Sequence, residues 1–304
     1  MTQVQDTSRA VPKVPKTWFI TGAGRGLGVE IAKAAIRAGD RVVAAARKRA
    51  SVTEALGPDS DQLLSVELDV TNATQAQAAV GATLARFGAV DVLVNNAGYG
   101  HMGFFEETSM EDARTQFATN LFGVFNVTWA ALPAMRSARK GHIFNLSSLG
   151  GLIGGQLGSL YCASKFALEG FSESLEKEIS PFGISVTIVE PGPFRTDFLT
   201  VESLRFGQNP IADYDDRRSV LWEGMKERNG KQPGDPEKLA EAMVRLASEA
   251  KPPMRFLAGA LAVHVADEKL KAMRAELSTW RQLSESTDCD SSDTSYGGLL
   301  NQIK

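Results

Sequence analysis

The chain has 304 residues, of which 43% are hydrophobic and 23% charged, enough for one large α/β core. Its 33 lysines and arginines against 36 aspartates and glutamates leave a net charge of -3, so no basic excess exists to neutralise nucleic-acid phosphates. The longest strongly apolar stretch, Phe256 to Ala266, is interrupted by Gly259 and His264 and falls short of the roughly 20 residues of a membrane span. Residues 1–16 lack the apolar segment of a secretory signal, and Cys162 and Cys289 cannot make a disulfide framework. These features predict a globular cytoplasmic protein with a flexible N-terminus and neither a nucleic-acid nor a membrane partner.

From Thr17 onward, short β-branched and aromatic runs alternate with longer helical patterns. TWFIT (17–21) reads as a buried strand, followed by a helix from Leu27 to Ala38 and a second strand, RVVAAA (41–46). LLSVEL (63–68) reads as a third strand, Ala73 to Phe87 as a helix closed by Gly88, and DVLV (91–94) as a fourth strand. Ser109 begins a helix predicted to reach about Arg136, with acids in its first turn. HIFNL (142–146), a helix from Ser159 to Ile179 and ISVTIVE (184–190) follow, stopped by Pro191-Gly192. This alternation predicts an α/β, single-domain Rossmann fold: a doubly wound parallel sheet of about seven strands with helices on both faces. The catalytic domain is expected to span 17–283.

After Gly192 the rhythm breaks. Residues 193–235 show no clear strand but hold Phe194, Phe198, Phe206, Tyr214, Leu221 and Trp222, a pattern that predicts a substrate lid. Pro236 to Glu249 reads as a helix capped by Asp235, Arg255 to Val263 as a last strand, and Asp267 to Leu283 as a last helix. The acidic, serine-rich stretch at 284–298 predicts disorder, within a tail that runs to 304.

Ligands of such sheets bind beyond the carboxyl ends of the strands, where strand order reverses. The first strand runs into Thr21-Gly22-Ala23-Gly24-Arg25-Gly26-Leu27-Gly28 and then into a helix. Glycines let the backbone pass close to a pyrophosphate, and the helix N-terminus supplies N–H groups and a positive dipole end. Gly22, Arg25, Gly26, Leu27 and Gly28 are therefore cofactor-contact candidates. A bare tight turn is the competing reading of the glycines. The second strand ends Ala45-Ala46-Arg47-Lys48, without the acid that accepts from the NAD ribose. A guanidinium at Arg47, with Arg25 from the loop, can grip the extra phosphate of NADP, so NADP(H) is the expected cofactor. Solvated loop charges are the alternative.

Tyr161 and Lys165 stand at i, i+4 on one helix face. A phenol of pKa ~10 is a poor base at neutral pH, and a nearby ammonium together with a positively charged nicotinamide ring favours its ionised form by charge. Ser148, just past the fifth strand, can donate to a substrate carbonyl. No G-x-S-x-G elbow surrounds it, and His101, His142 and His264 lack metal-ligand spacing, so no metal is expected.

Together Thr21-Gly22-x-x-x-Gly26-x-Gly28, Asn95-Asn96-Ala97-Gly98, Asn120, Ser148, Tyr161-x-x-x-Lys165 and Pro191-Gly192 resemble the short-chain dehydrogenase/reductase family over roughly 17–265. The resemblance implies that Tyr161 is the general acid of reduction and that Lys165 holds the nicotinamide ribose and lowers the Tyr161 pKa. Ser148 would orient the substrate oxygen and Asn120 would relay protons. Asp69 and Val70 match adenine contacts, Asn96 and Gly98 the ribose passage, and Pro191, Gly192 and Thr196 the nicotinamide end. It implies an NADP(H)-dependent oxidoreductase acting on a ketone or secondary alcohol, and the chain's length resembles members that take bulky apolar carbonyls. The rival readings are a different chemistry on the same fold, such as epimerisation or dehydration, and a non-catalytic NADP-binding sensor or regulator. Many family members associate through the helices here expected at Ser109–Arg136 and Ser159–Ile179, so a homo-oligomer is an open expectation.

Overall fold

A computed structural model describes residues 14–200 and 203–288. Most of the expected flexible N-terminus, and the tail from residue 289 with Cys289, lie outside the described residues. The described residues fall into two compact units that divide between Val263 and His264.

The first unit is built on a parallel sheet. β1 (Thr17–Thr21), β2 (Arg41–Ala46), β3 (Leu63–Glu67), β4 (Val92–Asn95), β6 (Gly141–Leu146), β7 (Ile184–Pro191) and β9 (Arg255–Ala258) form seven strands in the order β3-β2-β1-β4-β6-β7-β9. Every pairing is parallel. The chain lays β2 and β3 on one side of β1 and then returns to place β4 on the other. The strand order therefore reverses between β1 and β4.

Both sheet faces are buried, which explains why the strands read as continuous apolar runs. Trp18 and Ile20 point to one face, where Ile31, Ala32 and Ala35 of α1 (Gly26–Arg37) and Leu239 and Met243 of α8 (Pro236–Leu246) cover them. Phe19 points to the other, beneath Val80 of α3 (Ala73–Phe87), Met135 of α5 (Gly123–Ala138) and Leu175 of α6 (Ser159–Ile179). Trp18 also donates from its indole N–H to Asp40 Oδ2 at 3.0 Å, so its one polar atom is satisfied in the core. Local chemistry sets the helix ends. Asn72 caps α3 through the Gln75 N–H, Gly88 closes it at φ 80°, and Asp235 caps α8.

The predicted helix from Ser109 to Arg136 is interrupted. α4 (Met110–Phe117) carries the Ser109–Asp112 capping box, one π-helical turn follows over Ala118–Phe122, and α5 resumes the α-helical winding. A short helix, α2 (Arg49–Leu56), follows β2 without a sequence expectation.

The segment 193–235 corrects the expectation that it holds no strand. β8 (Leu204–Phe206) pairs in parallel with β5 (Gly100–Met102), and α7 (Asp215–Arg228) follows. Three-residue strands are too short to show a period, and α7 has no buried residue to give it an apolar face. Hydrogen bonds and charge hold α7 in place. Glu107, 3% exposed, accepts from the Arg218 guanidinium and from the Ile211 N–H. The pairing with Arg218 also holds the Glu107 carboxyl below the usual carboxylate range.

The last predicted strand is also shorter than expected. β9 stops at Ala258, Gly259 turns the chain at φ 94°, and α9 begins at Ala260 and runs to Glu285. Ser284 and Glu285, expected in a disordered tail, are its last residues.

Because Glu107 and Arg218 supply the main polar anchor of this segment, Arg218→Ala is expected to release it. Amide hydrogen exchange over 204–228 should rise about tenfold or more, while exchange in β1 and β4 stays unchanged. Unchanged exchange over 204–228 would show that the pair does not hold the segment.

Candidate active site

A cavity of ≈ 1210 Å³ opens beyond the carboxyl ends of β1, β4, β6 and β7. It is lined by every expected site residue except Gly28 and Asn120. At one end Gly22 and Gly26 adopt φ of 65° and 56°, the left-handed region that glycine enters without a Cβ penalty. α1 then starts with no side-chain cap and no acid in its first turn, leaving its N–H groups directed at the cavity. Gly28 serves packing: a Cβ there would lie 2.5 Å from the Gly22 carbonyl oxygen and 2.7 Å from Asn96 Nδ2. Arg25, Arg47 and Asp69 line the same end, and Leu27, Val70 and Thr196 add apolar and hydroxyl surface. A dinucleotide with its pyrophosphate at the α1 terminus fits this donor set.

Asn96 supports the glycine turn through its side chain. Its Nδ2 donates to the carbonyls of Thr21 at 2.9 Å and Gly22 at 3.1 Å. The Thr21 hydroxyl donates to the Val94 carbonyl and accepts from the N–H groups of Asn96 and Ala97, both at 3.0 Å. Sequence reasoning missed Thr21 as a bridge, because a buried threonine in a strand carries no distinctive pattern.

At the other end Tyr161 and Lys165 project from α6, and Ser148 follows β6. Lys165 Nζ lies 5.9 Å from the centre of the Tyr161 ring and donates to the Leu146 carbonyl at 2.6 Å. Burial pushes the Tyr161 phenol up to about 12, and its hydrogen bond with Ser148 acts downward. Burial pulls the Lys165 ammonium down to about 8, and Glu169 acts upward. In the protein alone desolvation therefore sets the direction of the Tyr161 shift, without the nicotinamide charge on which the expected fall also depends.

Asn120 sits one layer back. Its Oδ1 accepts from the Tyr99 N–H at 3.2 Å, and its Nδ2 donates to the Tyr99 carbonyl at 3.1 Å and to Ser164 Oγ at 3.2 Å. The π-helical turn carries it. Gly98 keeps this layer close, since a Cβ there would lie 3.2 Å from Asn120 Oδ1 and 3.8 Å from Lys165 Nζ. Pro191 ends β7, and Gly192 donates to the Ala258 carbonyl at 3.0 Å. Phe194 and Phe198 line the cavity, with the Phe198 ring 5.7 Å from that of Tyr161. The other expected lid aromatics sit elsewhere: Phe206 packs on Trp222, and Tyr214 stacks on Phe104.

The histidines play no visible part in the cavity. His101 is buried beside Asp112 at 3.1 Å, and burial holds His142 down to about 3. No metal-ligating cluster occurs among the described residues.

At the carboxyl ends of β6 and β7 lies a charged cluster that sequence reasoning missed. Glu169 accepts from the Ser147 hydroxyl and from Arg255, whose guanidinium also reaches Glu190 Oε1 at 2.6 Å and Glu173 Oε1 at 2.5 Å. Glu169 stands four residues after Lys165, the same helical spacing that relates Lys165 to Tyr161 and the one signal that marks it. Ser147 precedes Ser148, and Glu190 precedes Pro191, so one arginine ties together three segments that line the cavity. Burial and the Glu169 carboxylate push Glu190 up to about 7.

A carboxyl raised in the folded state binds its proton more tightly there than in the unfolded chain. Its contribution is therefore full below the ordinary value of 4.5 and is lost as pH rises to about 7. Glu190→Gln removes that loss. The melting temperature of the variant relative to wild type should climb between these pH values and level off above them, and a flat difference would contradict the cluster's electrostatics.

The sequence profile of the short chain dehydrogenase family matches residues 16–204. The chain is 38% identical over 272 residues to the oxidoreductase BOA17 of Botryotinia fuckeliana, covering 88% of this chain and 98% of that one. It is 39% identical over 251 residues to a 3-ketodihydrosphingosine reductase of Bacteroides thetaiotaomicron, covering 81% and 89%. The crystal structure of a short-chain dehydrogenase from Streptomyces avermitilis superposes with a TM-score of 0.82 at 38% identity, over 91% of this chain and all of that one. Among other solved relatives at 28% identity, one holds NADP and another NADH. A parallel sheet reversing at β1 and β4, a glycine turn against Asn96 and a Tyr-Lys pair facing the same cavity meet here with these likenesses: the chain belongs to the short-chain dehydrogenase/reductase family and is an oxidoreductase of that type.

Proposed function

We propose that this oxidoreductase is an NADP(H)-dependent carbonyl reductase that moves a hydride between the nicotinamide and a ketone or secondary alcohol on a bulky, apolar substrate. The observation that carries the reading is the convergence of Ser148, Tyr161 and Lys165 on the cavity that the glycine turn also lines. Arg25 and Arg47 at the glycine end support the choice of NADP, because paired guanidinium hydrogen bonds suit a phosphate monoester. Phe194 and Phe198 beside Tyr161 support an apolar substrate. The relative named for 3-ketodihydrosphingosine favours the same class.

When bound, the cofactor supplies the hydride for reduction and, in its oxidised form, a positive charge beside the phenol. The chain's own residues do the rest. Ser148 donates a hydrogen bond to the substrate carbonyl oxygen and keeps it near the Tyr161 hydroxyl. A phenol near 12 stays protonated at neutral pH, so Tyr161 holds the proton that the developing alkoxide takes. The Lys165 ammonium then stabilises the phenolate left behind, and Asn120 fixes the Tyr99 backbone at the cavity wall. Glu169 acts against the loss of charge that burial imposes on Lys165. Completeness of this set favours turnover over a sensor that only binds.

Tyr161→Phe tests the acid. NADPH binding should survive while reduction falls at least about 100-fold, the scale of a lost general acid; unchanged turnover would end this mechanism. NADPH should bind more tightly than NADH, and Arg47→Glu should reverse that order, whereas an unaltered preference would remove Arg47 from the cofactor site.

The pH dependence has a defined sign. Lys165 loses its charge as pH rises through about 8, so the reduction rate should fall above that value. Glu169→Gln removes the group that raises Lys165, and the falling limb should move to lower pH. An unmoved limb in a folded Glu169→Gln protein would leave Glu169 a purely structural role.

A further inference from the structure

The second unit contains the greater part of α9. Within it Leu270, Met273, Leu277, Trp280 and Leu283 are each more than half exposed, at 60%, 52%, 58%, 60% and 62%. Leu270, Met273, Leu277 and Trp280 recur at spacings of three, four and three, the a/d seam of a coiled coil with Leu270 and Leu277 at a; Ala266, one step earlier in the pattern, is buried and takes no part in it. Flanking that seam, Lys269 and Glu276 take g positions, and Asp267, Arg274 and Arg281 take e positions. Lys271, outside the seam, pairs within the helix with Asp267 at 2.7 Å and Glu268 at 2.9 Å. Lys269, Arg274 and Glu276 make no ion pair among the described residues.

We propose that α9 pairs antiparallel with α9 of a second copy of this chain. The charges select both the direction and the register. With Leu270 opposite Met273 of the second copy, the flanking pairs are Lys269 with Glu276 and Asp267 with Arg274, each occurring twice. All four are attractive. Sliding one heptad one way sets Glu276 against Glu276 and Arg274 against Arg274. Sliding the other way sets Lys269 against Lys269 and Asp267 against Asp267. A parallel pair would place Lys269 beside Arg274 on both sides. Of these arrangements, only the one with Leu270 opposite Met273 has no like-charge pair. Trp280 then lies opposite Val263 of the second copy, where its large ring compensates for a smaller partner.

A membrane surface fits the helix less well. Four acids and four bases lie between His264 and Glu285, without the cationic excess with which amphipathic helices bind anionic lipid.

The test is the molar mass of the full chain by light scattering at low ionic strength. Lys269→Glu places two acids against Glu276 of the second copy, and the mass should fall by half. Adding Glu276→Lys in the same chain restores opposite charges, and the mass should return to the wild-type value. In a parallel pair Lys269→Glu would relieve repulsion and leave the mass intact or larger, which would overturn the antiparallel arrangement. If the seam is covered by the first unit of the same chain or by lipid, neither substitution alters the mass, and the proposal fails. Unchanged NADPH binding in both variants would show that the first unit is intact, because both residues belong to the second unit and the cavity is lined by residues of the first.

Discussion

The site depends on a single hydroxyl held between two strands. Thr21, the last residue of β1, donates to the Val94 carbonyl of β4 and accepts from the N–H groups that follow it. Strand order reverses here, so no regular ladder continues past the strand ends, and these backbone groups need another partner. Thr21 and the Asn96 amide provide it. They fix the glycine turn against the β4 loop and direct the start of α1 toward the cavity. Without this bridge the glycines would have freedom but no defined path, and the two halves of the cavity would have no common wall.

A second constraint is electrostatic. The Tyr161 phenol and the Lys165 ammonium are both desolvated, and desolvation drives their ionisation in opposite directions: the phenol keeps its proton and the ammonium tends to lose one. That state suits a proton donor for reduction. The cluster of Arg255 with Glu169, Glu173 and Glu190 sits directly behind it and joins β7, β9, α6 and the residue before Ser148. It supplies negative charge near Lys165 without placing a carboxylate in the cavity. Buried carboxylates sharing one guanidinium carry a desolvation cost, so their value here is in positioning and tuning more than in stability.

Much of this was legible in the residue order, for identifiable reasons. β1, β2, β6 and β7 are long apolar runs bounded by turns, and burial on both faces leaves such runs little alternative. The glycine turn, Ser148, Tyr161 and Lys165 were visible because each sits at an element end or at a helical spacing. β5 and β8 were not, since three residues carry no period and each exists only through the other. The π-helical turn that carries Asn120 and the stop of β9 at Gly259 arise from packing and from one backbone dihedral. The direction of the Tyr161 shift was also out of reach: the sequence brings an ammonium near the phenol, but only the fold decides how much water remains around both.

The measurement that tests the account most directly is the ionisation of Tyr161, followed as the ultraviolet difference between wild type and Tyr161→Phe with and without NADP+. In the protein alone the phenol should ionise near 12, and saturating NADP+ should bring it down toward neutrality. An ionisation that NADP+ leaves unmoved would mean that the cofactor does not bind beside this residue, and Tyr161 would no longer be the acid of the reaction.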